Sequence, residues 1–520
     1  MLKAEYSVVP TEMDVGVVEK LIPADPYLRR LKAALDFEPL RALVADCYVA
    51  GLGAPAEDPV RRLKLRLLQF PYDLSDSQGL RQAQVNVAFR FLLDFSRESP
   101  LPVPSLLSQF RTRLGGERFT RGFNEILRQG RAQGLVKDRL RLKEAPQLIA
   151  NIAIPSTRRL VAQTREQVRA AAQCFTAEEV AAPRAQIDAL RTATADLPEA
   201  PRLLARVAHL RDLVAWGEQW QPRLREAAAG ARPVAPDAQA AAFSAALDVG
   251  HKGRNEREPD AQDQRLSLAD PEARTGKHGD SYEGYLLAVS RDADSELICA
   301  LAGLPANGEE GANATPLIKS EEPAQGNDSA SLSLDRSGYR GAVRAELREA
   351  ANGPHLTVDV PPIDWTPPAP ELCQPAAFTL KAGRDEGRCP GGATTRTRQR
   401  TTRGHGWRFA FPRSPWRACP LRAQCVKPAT RRGRTGSKND YEAQYHAARQ
   451  RAQSAASHEV RRAQPRRERK LAELGRWHAG RCVRYRGRLG GKIQYVLTAI
   501  VVNGKRIVKL LGLPLQPPLA

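Results

Sequence analysis

The chain has 520 residues, 42% of them hydrophobic, and carries 80 Lys and Arg against 58 Asp and Glu for a net charge of +22. That length can bury several cores, so roughly two to four domains are expected. Its eight cysteines are too few for a disulfide framework and point to a reducing, cytosolic setting. No stretch nears the ~20 apolar residues that span a bilayer, and the N-terminus has no charged flank, apolar run and cleavage site of a secretory signal. Residues 381–520 hold 33 Lys and Arg and only 7 Asp and Glu, so the remainder of the chain is close to neutral. A positive field concentrated in this way favours a polyanionic partner, most simply nucleic acid, over a merely solvated arginine-rich surface.

Residues 1–135 read as helical. Leu28, Leu31 and Leu35, then Leu40, Leu43 and Val44, recur at helical spacings, and Arg61–Tyr72 follows the same pattern. Ser75–Phe95 is expected as one amphipathic helix with Ser75 as N-cap and Val85, Phe89, Leu92 and Leu93 facing inward. After Pro100–Pro104 a short basic helix is expected to stop at Gly115-Gly116, with Arg111 and Arg113 facing out. Helix, proline turn and basic helix suit a helix-turn-helix-like DNA reader, and suit an ordinary helical bundle as well.

At Arg139 the pattern changes to strict alternation, Arg-Leu-Arg-Leu-Lys, a strand that leads into the carboxylate of Glu144; Pro146 must then turn the chain or lie at an edge. Residues 156–265 form an Ala/Arg/Leu-rich helical stretch divided by prolines and closed by a polar linker. Tyr282–Ser290 and Ser295–Leu301 read as a hairpin. Ala312–Glu321 is weakly helical. Ser331–Leu334 alternates as a short strand that ends at Asp335, with Gly338-Tyr339 and a helix-like segment, Arg340–Ala350, after it. A carboxylate there sits at the carboxyl end of a sheet, where open α/β folds place their chemistry. His355–Val360 is a further strand, 361–375 is proline-rich, and cysteines follow to about residue 436. Asp440–Ser457 and Arg466–Trp477 are helical, Pro465 opening the second and Glu468 lying within it. Ile493–Leu511 closes the pattern as an amphipathic helix.

Taken together, the first-acid segment ending in Ala150-Asn151, Asp335 with Gly338-Tyr339, Cys-Pro-Leu-Arg-Ala-Gln-Cys at 419–425, and Arg-Arg-Glu-Arg-Lys-Leu-Ala-Glu-Leu at 466–474 before Arg-Tyr-Arg-Gly resemble bacterial insertion-sequence DDE transposases. The resemblance implies an α/β chain. A helical N-terminal DNA-binding domain (1–135) precedes an RNase H-like mixed-sheet core (136–155 and 266–362) interrupted by a helical insertion (156–265). A Pro-rich, Cys-containing insertion (363–436) and core-completing helices (437–512) follow, with a tail at 513–520. It implies two Mg²⁺ ions held by Glu144, Asp335 and Glu468, cleavage at the ends of a mobile element, and attack of the freed 3′-hydroxyl on target DNA. Arg461, Arg462, Arg466, Arg467, Arg481, Arg484 and Arg486, with Arg111 and Arg113, would guide backbone phosphates; Tyr485 or Trp477 could stack on a base or pack in the core. The implied partners are double-stranded DNA, both terminal repeats and target, and further copies of the chain on DNA, in the cytoplasm at the nucleoid.

The chain departs from this family in three places, the slightest being one residue more between Asp335 and Gly338-Tyr339 than in the commonest family form. The family's first acid is Asp within Asp-Gly-Thr, whereas this chain has Glu144-Ala145-Pro146. The longer side chain moves the carboxylate by roughly 1 Å, against a tolerance of about 0.5 Å at a catalytic centre, so impaired catalysis is expected. A catalytically dead DNA-binding remnant and a nuclease without strand transfer are the alternatives. Cys389, Cys419 and Cys425 look like a zinc ribbon whose fourth ligand position is occupied by Trp416; His405 is the candidate substitute, and the other cysteines, Cys373 among them, read as isolated.

Overall fold

A computed structural model describes residues 11–22, 27–48, 56–96, 101–152, most of 181–202 and scattered positions from 163 to 220. It also describes 266–361 apart from 268–269, 279, 327–328 and 352, and then 372–462 and 482–512 apart from short stretches within 375–432. Among the described residues seven helices come first: α1 (Glu12–Leu21), α2 (Tyr27–Ala34), α3 (Pro39–Ala45), α4 (Pro59–Gln69), α5 (Asp76–Val85), α6 (Val87–Leu92) and α7 (Pro104–Ala132). The Ser75 hydroxyl accepts from the Gln78 N–H and the Gln78 side chain accepts from the Ser75 N–H, a reciprocal cap that starts α5. The single helix expected from Ser75 to Phe95 instead breaks at Asn86. That side chain accepts from the N–H groups of Ala88 and Phe89 and so begins α6 afresh. Phe89, Leu92 and Leu93 are buried as expected, but the break leaves Val85 75% exposed.

Nor does α7 stop at its glycine pair. Gly115 takes φ 65° and kinks the helix, which resumes because Phe119, Phe123, Ile126 and Leu127 continue its buried face. That face meets the last described helix, α14 (Gly487–Leu511), which also touches α2, α4 and the strand Ile298–Pro305. Most of α14 from Gly491 to Val508 is buried, so it is a core helix rather than an amphipathic surface one. One continuous apolar cluster joins α2 to α7, α14 and residues of the sheet such as Tyr285, Leu287 and Ile298.

The sheet contains β1 (Arg141–Glu144), β2 (Gln147–Ile149), β3 (Arg274–His278), β4 (Asp280–Asp292), β5 (Ile298–Pro305), β6 (Ser331–Ser333) and β7 (Thr357–Asp359). Across it the strands run β5–β4–β1–β6–β7, with β4 antiparallel to β1 and with β6 and β7 in parallel with it. Helices α9 (Ala314–Gln325) and α10 (Gly341–Arg348) follow β5 and β6, and α8 (Ala181–Ala193) lies in the long insertion. This mixed sheet with its helices is compatible with an RNase H-like core behind a helical N-terminal region.

Two expectations about β1 change on inspection. Pro146 does not turn the chain: Glu144 opposes Val289 and Gln147 opposes Leu286, so β2 continues β1 in one register along β4. The ladder is broken only because Pro146 accepts from the Leu287 N–H and has no N–H to return. A little farther along, Gly284 at φ 155° lets β4 pass β2, since a Cβ there would stand 2.0 Å from the Leu148 carbonyl oxygen. The alternation in β1 is also misleading, because Arg141 and Lys143 are buried rather than solvated. β1 is a central strand covered on both faces, and its charges are buried among partners.

The cysteine-bearing region folds as two small antiparallel sheets. One holds β8 (Thr379–Lys381), β9 (Glu386–Arg388) and β10 (Thr394–Thr395); the other holds β11 (Arg398–Arg400), β12 (Gly406–Ala410) and β13 (Thr435–Asn439). The turn of helix α11 (Arg422–Cys425) lies between β12 and β13 in sequence. After β13 come α12 (Glu442–Ala452) and α13 (Ala455–Arg462).

Candidate active site

Arg141 pairs with Leu332 and Leu142 with Ser333 along parallel β1 and β6. The pairing ends there, with Glu144 two residues farther on at the end of β1 and Asp335 two residues past the end of β6, both on the carboxyl side of these parallel strands. Both side chains are half-buried. After Asp335 the chain makes a 3-10 turn, Arg336–Gly338, in which the Gly338 N–H donates to the Asp335 carbonyl at 3.1 Å. The turn needs glycine, because a Cβ on Gly338 would lie 2.7 Å from that of Leu334.

Helix α12 holds this edge from behind. The Gly341 N–H donates to the Tyr445 hydroxyl at 3.0 Å, and the Arg451 guanidinium donates to both oxygens of Asp359 at 3.0 Å each. Gly341 packs so closely that a Cβ there would stand 2.0 Å from the Tyr441 Cβ. Under β1, Arg141 is ion-paired to Glu321 at 2.6 Å, to Asp292 at 3.1 Å and to Asp138, while Arg131 of α7 reaches Asp138 at 2.5 Å and Glu321 at 3.3 Å. Arg141, Asp292 and Glu321 have no exposed side-chain surface, so β1 is anchored by a desolvated charge network rather than by apolar contacts alone.

Lys143 and Glu310 are neighbours of the site that the alternation pattern concealed. The Lys143 ammonium donates to the Glu310 carbonyl at 2.8 Å. Burial pulls its pKa below the ordinary lysine value, and the charges of Glu310, Asp335 and Glu144 oppose that fall. The only signal in the sequence was a lysine directly preceding the first acid. Among the described residues no group of three or more His, Cys, Asp or Glu side chains is gathered tightly enough to hold a metal ion. Glu468, the proposed third acid, lies outside the described residues, as do Arg466, Arg467, Trp477 and Arg481. The chain is described again at Cys482, which bridges in parallel to Ile149 while the Val483 N–H donates to the Ile149 carbonyl. The segment after Glu468 therefore returns to the sheet beside β2, a few residues beyond Glu144.

The described DNA-contact candidates are scattered in setting. Arg111 is half-buried, stacked on the Tyr485 ring at 4.0 Å, so it joins the first and last parts of the chain rather than facing out. Arg113 is exposed, 5.2 Å from the Tyr48 ring. Arg484 donates to the Leu74 carbonyl, pairs with Asp73 and lies over Phe70. Arg461 donates to the Ser457 and Ala452 carbonyls, whereas Arg462 and Arg486 are exposed.

Cys389, Cys419 and Cys425 line a cavity of about 30 Å³, and the fourth cysteine on its wall is Cys373. His405 is elsewhere: it is exposed and rests against the Tyr441 ring at 5.7 Å. Trp416 lies outside the described residues.

Comparison with known families gives two matches: a transposase domain of the DUF772 type over residues 16–113 and a transposase DDE domain over residues 388–508. The N-terminal match runs from within α1 into the first part of α7, and the C-terminal match runs from the cysteine region into α14. That pairing supports a DNA transposase function and is consistent with an insertion-sequence DDE transposase, a family that implies DNA binding and a divalent metal, typically Mg²⁺. No curated protein and no solved structure matches the chain.

Proposed function

We propose that the chain is an insertion-sequence transposase that hydrolyses phosphodiester bonds at element ends and joins the freed 3′ end to target DNA, with catalysis impaired at its first acid. The register of β1 against β6 carries this reading, because it brings Glu144 and Asp335, 191 positions apart in sequence, to one sheet edge. Two half-buried carboxylates at strand ends suit a hard, oxygen-seeking cation. With Glu468 they would hold Mg²⁺, which when bound supplies an activated water and a stabilised leaving oxygen. The chain's own contribution is to fix the two carboxylates. β1 is tied down through Arg141, and the turn after Asp335 is clamped between Leu334 and α12.

Glutamate at 144 places its carboxylate roughly 1 Å farther from the strand than aspartate would, beyond the ~0.5 Å that a catalytic geometry tolerates. In a strand-transfer assay with cognate element ends and Mg²⁺, Glu144→Asp is expected to outpace the native chain by about tenfold or more, equivalent to ~1.4 kcal/mol in the barrier. Equal turnover would sink the idea of impairment. Loss of all turnover in Asp335→Asn, with DNA binding kept, is the companion result. The buried Lys143 ammonium beside the acids favours a second reading, a DNA-binding remnant without catalysis; cleavage of end DNA by the Glu144→Asp chain but not by the native one would identify it.

A further inference from the structure

The zinc-ribbon resemblance lacks its fourth ligand at Trp416, and His405, the substitute suggested by sequence, is exposed against Tyr441 and does not line the cavity. Cys373 is where the missing ligand belongs. Its N–H donates to the Gln424 carbonyl at 2.6 Å, which ties it to the helical turn that ends in Cys425. The Arg434 guanidinium holds the Cys373 carbonyl from the other side at 3.0 Å. Opposite, Cys389 sits in a tight turn: its N–H donates to the Ala393 carbonyl and its carbonyl accepts from the Gly392 N–H. Gly391 in that turn allows the Cys419 sulfur to approach, because a Cβ at 391 would be 2.7 Å from it and 3.8 Å from the Cys389 sulfur. Two sequence-distant pairs of thiols therefore face one cavity large enough for about one or two water-sized bodies.

We propose that Cys373, Cys389, Cys419 and Cys425 form a four-thiolate structural zinc site, with Cys373 replacing the family's ligand at Trp416. All four cysteines line this one cavity, and closing on a zinc ion would bring each sulfur to ~2.3 Å from the metal. The unit also needs such a staple. Among the described residues its buried apolar cluster is Phe378, Leu380, Phe409 and Phe411, too small to hold two three-stranded sheets by hydrophobic burial alone. Binding displaces four thiol protons to solvent and leaves zinc's oxidation state unchanged. This inference is independent of whether the DNA chemistry proposed above occurs.

The test uses the full chain, purified under reducing conditions and titrated with Zn²⁺, and with Co²⁺ as a spectroscopic substitute. The native chain and His405→Ala are expected to bind one ion per chain with a four-thiolate cobalt spectrum. Cys373→Ser should bind Zn²⁺ more than about tenfold more weakly, since losing a direct ligand exceeds the 10–100-fold cost of losing its supporting contacts. Should Cys373→Ser fail to fold, Cys373→His keeps a ligand and is expected to retain the ion with the spectrum shifted to three sulfurs and one nitrogen. The proposal is overturned by a native chain that binds no zinc, by a disulfide between these cysteines in the reduced preparation, by loss of metal in His405→Ala, or by an unchanged cobalt spectrum in either Cys373 variant.

Discussion

The two ends of the chain and the cysteine unit are stabilised in opposite ways. Helices α2 to α7 share a single apolar core with α14 and the sheet, so the two transposase-domain matches meet physically although the middle of the chain separates them in sequence. Among its described residues the cysteine unit has five buried apolar side chains, Phe378, Leu380, Phe409, Phe411 and Val426. Where many large side chains interlock, no staple is needed; where few do, fixed thiols around a cavity become the natural means of holding the fold. Between the two lies β1, anchored by a third device, buried charge.

Three substitutions or conditions would break that contrast. The largest effect is expected from Val502→Asp, which buries an unpaired carboxylate in α14, where Val502 has no exposed surface. It should cost about 5 kcal/mol or more. Hydrogen exchange resolved by peptide should then rise across α2 to α7 and α14 while residues 386–411 stay protected; loss of protection in both would show that the cysteine unit depends on the large core. Next, Arg141→Met removes the cation that Asp292 and Glu321 share, leaving Arg131 on Glu321, and should cost about 3–5 kcal/mol, read as a lower urea midpoint with faster exchange in β1 and α9. An unchanged midpoint would mean the network is neutral in energy. The smallest effect is the response to acid. Burial works against the charge of Asp138, but Arg131 and Arg141 hold its pKa below the ordinary value; likewise Lys64 and Lys32 outweigh burial at Asp94. A depressed folded pKa means the folded state binds fewer protons, so their stabilisation is complete above an unfolded pKa of about 3.9 and disappears as pH falls through the folded values. Each half-exposed pair is worth about 1 kcal/mol or less. This contribution to the urea midpoint should be constant from pH 6 to about pH 4 and be lost below it, so the midpoint should fall less steeply below pH 4 in Asp138→Asn.

Local chemistry was the readable part of this sequence. The Ser75 cap, the β4–β5 hairpin and the short strand just before Asp335 all depend on residues adjacent in the chain. What could not be read depends on what covers a residue. Alternation in β1 promised a solvated face, but α9 lies over it and supplies Glu321, so Arg141 is in the interior. Asn86 can sit within a helix or cap one, and only packing decides between the two. Gly115 signalled a stop, yet an apolar face continuing to Leu127 carried the helix through the kink. Cys373 looked isolated because its neighbours come from turns on two other segments, a proximity that spacing along the chain does not encode.

The position of α14 has a consequence for synthesis. The first seven helices leave the ribosome early, yet the apolar surface they share with residues 493–508 stays open until those residues are translated. At ~5–20 residues per second that interval is roughly twenty seconds to a minute. Throughout it the nascent amino-terminal segment carries sticky surface with no lid, an opening for chaperones and proteases that closes only as the final helix emerges.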